Sequence, residues 1–199
     1  PDAYQGLEVD PTLVTFRQLL THTSGMAPWR QVYLAAGPSP APPGQVEGLS
    51  HQMRWAKGFK AICGYPFIDQ PGQAVHYSDL GLMLLGEAAV RLYAGAENLA
   101  DVIASLITQP LGLSTVMYNP TDHGYSLEQI VPTEDDPDWR KRRVWGEVHD
   151  ENACGIGGIA GHAGLFATAM DVARFGQGWL QSPQTTFEIL PDLARQAVQ

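Results

Sequence analysis

The sequence predicts a mainly α-helical fold with long loops, its sheet incomplete or absent. Three observations point there. Apolar residues recur at the three- and four-residue spacing of helix faces. Capping residues stand at the start of those stretches. No segment offers the alternating apolar and polar residues from which a five-stranded sheet is built.

The first helix is expected from Phe16 to about His22. Thr15 and Gln18 form a capping-box pair, Phe16, Leu19 and Leu20 supply the apolar stripe, and Gly25 ends the following turn. Residues 37–45 include Pro38, Pro40, Pro42 and Pro43. Proline removes a backbone donor and fixes φ, so this stretch is an extended surface loop. Val46, Leu49, Met53, Ala56 and Phe59 predict a second helix ending before Gly64, weakened by Gly48 and Gly58. Pro71-Gly72 signals a turn, and residues 74–77 are short and extended. From Ser78 or Asp79, the run Leu80, Leu82, Met83, Leu84, Leu85, Ala88, Ala89 and Leu92 predicts a largely buried helix. Asn98 and Asp101 cap the next, which runs to about Thr108 and stops at Pro110. Residues 117–164 show little periodicity and many turn residues. So long a loop is either functional or leans on another segment. Thr168 with Asp171 caps a helix carrying Val172, Phe175 and Leu180. Ser182-Pro183 opens a last helical stretch that Pro191 interrupts.

Composition narrows the function. The 199 residues are 44% hydrophobic and 17% charged, enough to bury a core and unlike a disordered chain. A formal charge of -9 argues against nucleic acid and anionic membranes, which need a basic face. The basic run Arg140-Lys141-Arg142-Arg143 follows Glu134-Asp135-Asp136, so local solvated charge pairing is expected. Cys63 and Cys154 make no disulfide framework and are expected as unpaired thiols, which leaves the compartment open. No apolar run approaches the ~20 residues of a membrane helix. The chain begins at Pro1, so its natural start is expected to have been removed, and the lack of a targeting segment carries no weight.

Tyr77 lies where an extended segment meets a buried helix. Such a junction presents a side chain at a cleft mouth, near the positive end of the helix dipole. A tyrosine there accepts a proton once a neighbouring cation stabilises its phenolate. The plainer reading has Tyr77 packing while Ser78 or Asp79 caps the helix.

Pro71-Gly72 followed by Tyr77-Ser78-Asp79-Leu80-Gly81 resembles the second motif, usually Tyr-x-Asn, of the class C β-lactamase and penicillin-binding-protein-like family. Leu19-Leu20-Thr21-His22-Thr23-Ser24-Gly25-Met26 and Gln109-Pro110-Leu111-Gly112-Leu113 resemble further segments of that family in the same order. So does the block from Gly158 through His162, Ala163 and Gly164 to Phe175. The resemblance spans nearly the whole chain. It implies that residues 1–199 are the helical part of a β-lactamase-like domain whose sheet is built from chain ends outside this piece.

The resemblance implies acyl transfer at a small-molecule or peptide carbonyl, without a cofactor. A serine attacks, a lysine and a tyrosine manage its proton, and backbone N–H groups hold the oxyanion. Tyr77 takes the tyrosine's catalytic role, and Asp79, His162, Ala163 and Gly164 are the expected substrate-binding residues. The Ser-x-x-Lys nucleophile motif is absent: three positions before Lys57, Lys60 and Lys141 stand Arg54, Lys57 and Asp138. His162-Ala163-Gly164 has the letters of the third motif but falls too early. The expectation is therefore a fragment that is inactive alone and self-associates through an exposed sheet-docking surface. Asp79 replaces the usual asparagine. A carboxylate cannot donate to a substrate carbonyl, and it holds a neighbouring lysine as ammonium, so an esterase or peptidase-like activity is favoured over β-lactam hydrolysis. The alternative is a non-catalytic binding or regulatory module.

Other readings are weaker. His149, Asp150, Glu151, Cys154 and His162 are zinc-ligand types, but their spacing matches no standard zinc pattern, and no metal is expected. The resemblance makes residues 146–153 a loop edging the cleft. Gly155-Ile156-Gly157-Gly158-Ile159-Ala160 fits a loose dinucleotide fingerprint without the strand that must precede it. His22 is expected to bond nearby backbone at a helix end.

Overall fold

A computed structural model of the chain describes residues 6–181. The helices are α1 (Phe16–Leu20), α2 (Val32–Ala36), α3 (His51–Gly64), α4 (Asp79–Leu92), α5 (Leu99–Ile103), α6 (Glu151–Gly155) and α7 (Ala169–Gln181). A π-helical turn at Ala104–Thr108 continues α5. Strand β1 (Met117–Tyr118) pairs antiparallel with β4 (Leu165–Phe166), and β2 (Glu134–Asp136) with β3 (Arg142–Val144). The described residues are therefore mainly helical, with two-stranded ribbons and no larger sheet.

Local chemistry explains most boundaries. The Thr15–Gln18 capping box forms as expected, but α1 stops at Leu20 because His22 takes a left-handed φ of 58°. The second expected helix starts later than its apolar spacing suggests. Ser50 accepts the Met53 N–H at 3.2 Å and opens α3 at His51, while Val46 is 96% exposed. Glu47 explains the delay: its carboxylate accepts the N–H groups of Ala41 and Leu49 and holds the preceding residues in a loop. The short α2 had no sequence signal, since five residues are too few to show a period. Ser78 caps α4 as expected, with its Oγ accepting the Gly81 N–H at 3.2 Å. Asn98 and Asp101 form a capping box on α5. The helical stretch expected from Ser182 lies outside the described residues.

The core centres on α4. Leu80 and Met83 meet Leu19, Met26, Val32, Ile62 and Ile156 in one buried cluster. The segment after α6 lies directly on α4 at Gly161, where a Cβ would collide with the Leu82 carbonyl. Asp171, at the start of α7, accepts the Thr115 N–H at 2.8 Å and so ties that helix to the 113–118 segment.

Two arginines correct the expectation of solvated charges. Arg143 does pair with Asp135 at the surface, at 3.0 Å. Arg140, however, has a fully buried side chain that donates to the His149 carbonyl at 2.7 Å. Arg142 is partly buried on Glu147 at 2.7 Å. Tertiary packing of the β2–β3 ribbon against the 147–150 loop draws them in, which local composition does not report. Arg54 on α3 is likewise buried, giving hydrogen bonds to Glu47 at 2.9 Å and the Pro38 carbonyl at 2.8 Å.

Arg54→Ala leaves those acceptors without their donor. We expect a loss of about 3 kcal/mol of unfolding free energy by urea denaturation.

Candidate active site

The site is built on a seam between the loop after α1 and the segment entering α4. His76 donates its N–H to the His22 carbonyl at 2.8 Å, Gly72 to Thr23 at 2.7 Å, and Ile68 to Gly25 at 2.8 Å. Gly25 has a φ of 77°, and a Cβ there would strike the Asp69 carbonyl, so this close approach requires glycine. The Ser78 N–H donates to His22 Nδ1 at 3.1 Å. His22 does bond backbone, as expected, but its partner is 56 residues away.

Tyr77 lies on this seam. Its ring stacks on His22 with centroids 4.5 Å apart, and the residue is 62% exposed. It is therefore presented at the surface and not packed in the core. Ser78 is not available as a nucleophile: it is buried, its Oγ donates to the Ala27 carbonyl at 2.7 Å, and it accepts the Gly81 N–H.

Asp79 opens the first turn of α4, where the helix dipole favours an anion. One potential ligand atom from each of Asp79, Asp150 and His162 lies within 4.8 Å of the others. His162 Nε2 meets Asp150 Oδ1 at 2.9 Å, and the His162 side chain is only 3% exposed. Asp150 Oδ1 also accepts the Ala153 N–H at 2.7 Å and caps α6. Arg140 secures the preceding residue by its bond to the His149 carbonyl.

These surroundings shift the two carboxyls in opposite directions. Burial raises Asp79 above the ordinary range, helped by the charge of Asp150 and opposed by His162 and His22. Burial works against ionised Asp150 as well, but the bonds from His162 and Ala153 outweigh it and lower its pKa. Burial also pushes the Cys154 thiol up to about 12, which makes it unreactive. Cys63 and Cys154 are both unpaired.

The expected site residues divide. Asp79, two residues after Tyr77 in the chain, comes together with His162. His162 is turned inward onto Asp150. Ala163 packs on the core, and Gly164 is buried against Gly158 and the Tyr118 ring. Asp150 had been read as a loop residue or a member of a metal set, and its pairing with His162 across 12 residues carried no local signal. Nor did Arg140. Of the metal-type residues, His149 faces Glu134 at 3.8 Å and Cys154 faces Glu147 at 3.6 Å, apart from the Asp150–His162 pair. Asp79, Asp150 and His162 have the donor types for a divalent cation. Between the last two, His162 Nε2 and Asp150 Oδ1 already meet at 2.9 Å.

The opposed shifts predict opposed variants. The favourable contribution of Asp150 is present above the unfolded Asp pKa of about 3.9 and is lost as pH falls through its lower folded value. The penalty of Asp79 is absent below about 3.9 and full above its raised folded value. At pH 7, Asp150→Asn should lower the melting temperature and Asp79→Asn should raise it slightly. Both differences should shrink in acid, as followed by circular dichroism.

Comparison with known proteins places the chain in a family. The Beta-lactamase family model matches residues 7–197. An Escherichia coli (strain K12) protein provisionally named a D-alanyl-D-alanine carboxypeptidase is 34% identical over 146 residues, covering 68% of this chain and 33% of its own length. A Salmonella agona (strain SL483) protein of the same name is 36% identical over 119 residues, covering 54% of this chain and 27% of its own length. The chain thus spans about a third of the curated relatives it matches. Among solved structures, D-amino acid amidase from Ochrobactrum anthropi SV3 superposes with a TM-score of 0.54 at 16% identity, over 85% of this chain and 44% of that one. Simvastatin synthase from Aspergillus terreus gives 0.56 at 19% identity, over 94% and 40%. At these identities the structures speak for the fold alone. With its family match running over nearly its whole length and its helical region superposing on these folds, the chain belongs to the beta-lactamase family.

Proposed function

We propose that this chain is the helical part of a serine hydrolase that transfers an acyl group from an ester, amide or β-lactam carbonyl. Esterase or peptidase-like chemistry is favoured over β-lactam hydrolysis. The observation that carries the proposal is Tyr77: exposed, stacked on His22, and set at the entry to α4 two residues before Asp79. Relatives named as D-alanyl-D-alanine carboxypeptidases and a structural neighbour named D-amino acid amidase support an amide or ester carbonyl as the target.

In this reading the nucleophile is a serine of a Ser-x-x-Lys motif outside these 199 residues, since none occurs within them. The serine Oγ attacks the carbonyl carbon and gives up its proton to the lysine–tyrosine pair, in which Tyr77 is the tyrosine. The tetrahedral intermediate collapses as the bond to the leaving group breaks, and the same pair returns the proton to that group. Water then hydrolyses the acyl-enzyme by the same route in reverse. Tyr77 is the catalytic residue in this chain, and Asp79 binds substrate.

The test is an assay of the full-length protein against a chromogenic ester and a chromogenic cephalosporin. Turnover of the ester should exceed that of the cephalosporin. Tyr77→Phe should lower kcat by about a hundredfold or more, and residues 1–199 alone should show no turnover. Full-length protein that is folded but inactive on both substrates, and that lacks a Ser-x-x-Lys motif, would establish the binding-module alternative instead.

A further inference from the structure

His22 contacts three consecutive residues centred on Tyr77. Its carbonyl accepts the His76 N–H at 2.8 Å, and its Nδ1 accepts the Ser78 N–H at 3.1 Å. Between them its ring faces the Tyr77 ring, with centroids 4.5 Å apart and planes inclined by 37°. It makes these contacts from a left-handed backbone with a φ of 58°. That conformation costs a residue with a side chain free energy and persists only where its surroundings impose it. The main chain at the entry to α4 does not need the ring. Ser78 Oγ donates to the Ala27 carbonyl at 2.7 Å, and the Asp79 N–H to the Pro28 carbonyl at 3.0 Å. What these bonds leave unfixed is the Tyr77 side chain, in a residue that is 62% exposed. A stack on so exposed a ring buries little apolar area and adds little to stability. Its consequence is orientation, because it removes rotamer freedom from the phenol.

We infer that His22 is the positioning residue of this site: its ring holds the Tyr77 phenol in the orientation from which the lysine–tyrosine pair takes the serine proton. The inference rests on the hydrolase reading above. His22 acts through Tyr77 and touches no reacting atom. Histidine combines what the position demands. Asparagine offers an acceptor in the place of Nδ1 and tolerates the left-handed backbone, but it has no ring. Phenylalanine offers the ring and no acceptor, which leaves the Ser78 N–H without its partner. A reacting group displaced by about 1 Å costs on the order of a hundredfold in rate, so a loosened phenol is read in kcat.

The test is a double-mutant cycle of His22→Asn and Tyr77→Phe in the full-length protein, read by steady-state kinetics on the chromogenic ester. His22→Asn keeps the acceptor and the backbone and removes the ring. It should melt close to the wild-type temperature, lower kcat by about tenfold or more and leave KM within about twofold. In the Tyr77→Phe background the same change should cost almost nothing, because the hydroxyl that it would misplace is gone. A second measurement needs no variant of His22 and decides the matter if His22→Asn does not fold. In the folded wild type, NMR signals of the Tyr77 ring, identified by their absence from Tyr77→Phe, should be displaced upfield by the imidazole face. Three results would overturn the inference: wild-type kcat in His22→Asn, an equal loss in both backgrounds, or Tyr77 signals at the position of a freely rotating exposed tyrosine. Wild-type kcat in His22→Asn beside an impaired Tyr77→Phe refutes the inference alone. Undiminished turnover by Tyr77→Phe removes the role of Tyr77 in the hydrolase reading and the inference with it.

Discussion

The hydrogen bond from the Ser78 N–H to His22 Nδ1 joins two segments that are 56 residues apart, and the site depends on it. His22 offers that nitrogen because its left-handed backbone ends α1 early and turns the ring toward α4. The same ring supports Tyr77 by stacking, so one imidazole places both the helix entry and the exposed phenol. Ser78 then caps α4 with its hydroxyl, which leaves Asp79 in the first turn with its carboxylate free for other work. Backbone bonds from Ile68, Gly72 and His76 repeat the connection along the seam. A loop held at several points by its main chain resists displacement even when a single side chain changes.

The opposite wall is set by close approach. Gly161 lies on the Leu82 carbonyl of α4, and Tyr118 donates its hydroxyl to the Ala160 carbonyl at 3.0 Å from beneath. This contact carries His162 to Asp79 although the two stand far apart in the chain. Asp150 reaches the pair from the cap of α6, and Arg140 steadies its turn from the β2–β3 ribbon. Charges brought inward in this way need partners with good geometry. Asp150 has them. The Asp79 carboxylate accepts no hydrogen bond among the described residues.

Membership in the beta-lactamase family sets a frame in which Asp79 is the departure. An amide at that position donates as well as accepts, whereas a carboxylate only accepts and carries charge. The change is not isolated: the Asp150–His162 pair stands beside it with its own hydrogen bond. The inward orientation of His162 also reassigns that residue. Its letters suggest contact with substrate, but its side chain is buried and bonds Asp150.

What the sequence by itself determined is local. The capping residues Thr15, Ser78, Asn98 and Thr168 lie within three residues of the N–H groups they satisfy, and apolar spacing marks the face of α4, so these helices were legible. The family motifs were legible too, because their order survives in the chain. Helix α2 was too short to leave a period, and α3 began late because Glu47 binds backbone at Ala41 and Leu49, a choice that apolar spacing does not encode. Only the tertiary structure decided that Arg54 and Arg140 are buried, that His22 serves Ser78, and that Asp79, Asp150 and His162 meet. The physical reason is range. A cap or an amphipathic face is settled within a turn or two of chain, whereas the charge state and exposure of an ionisable side chain depend on groups that packing brings from tens of residues away.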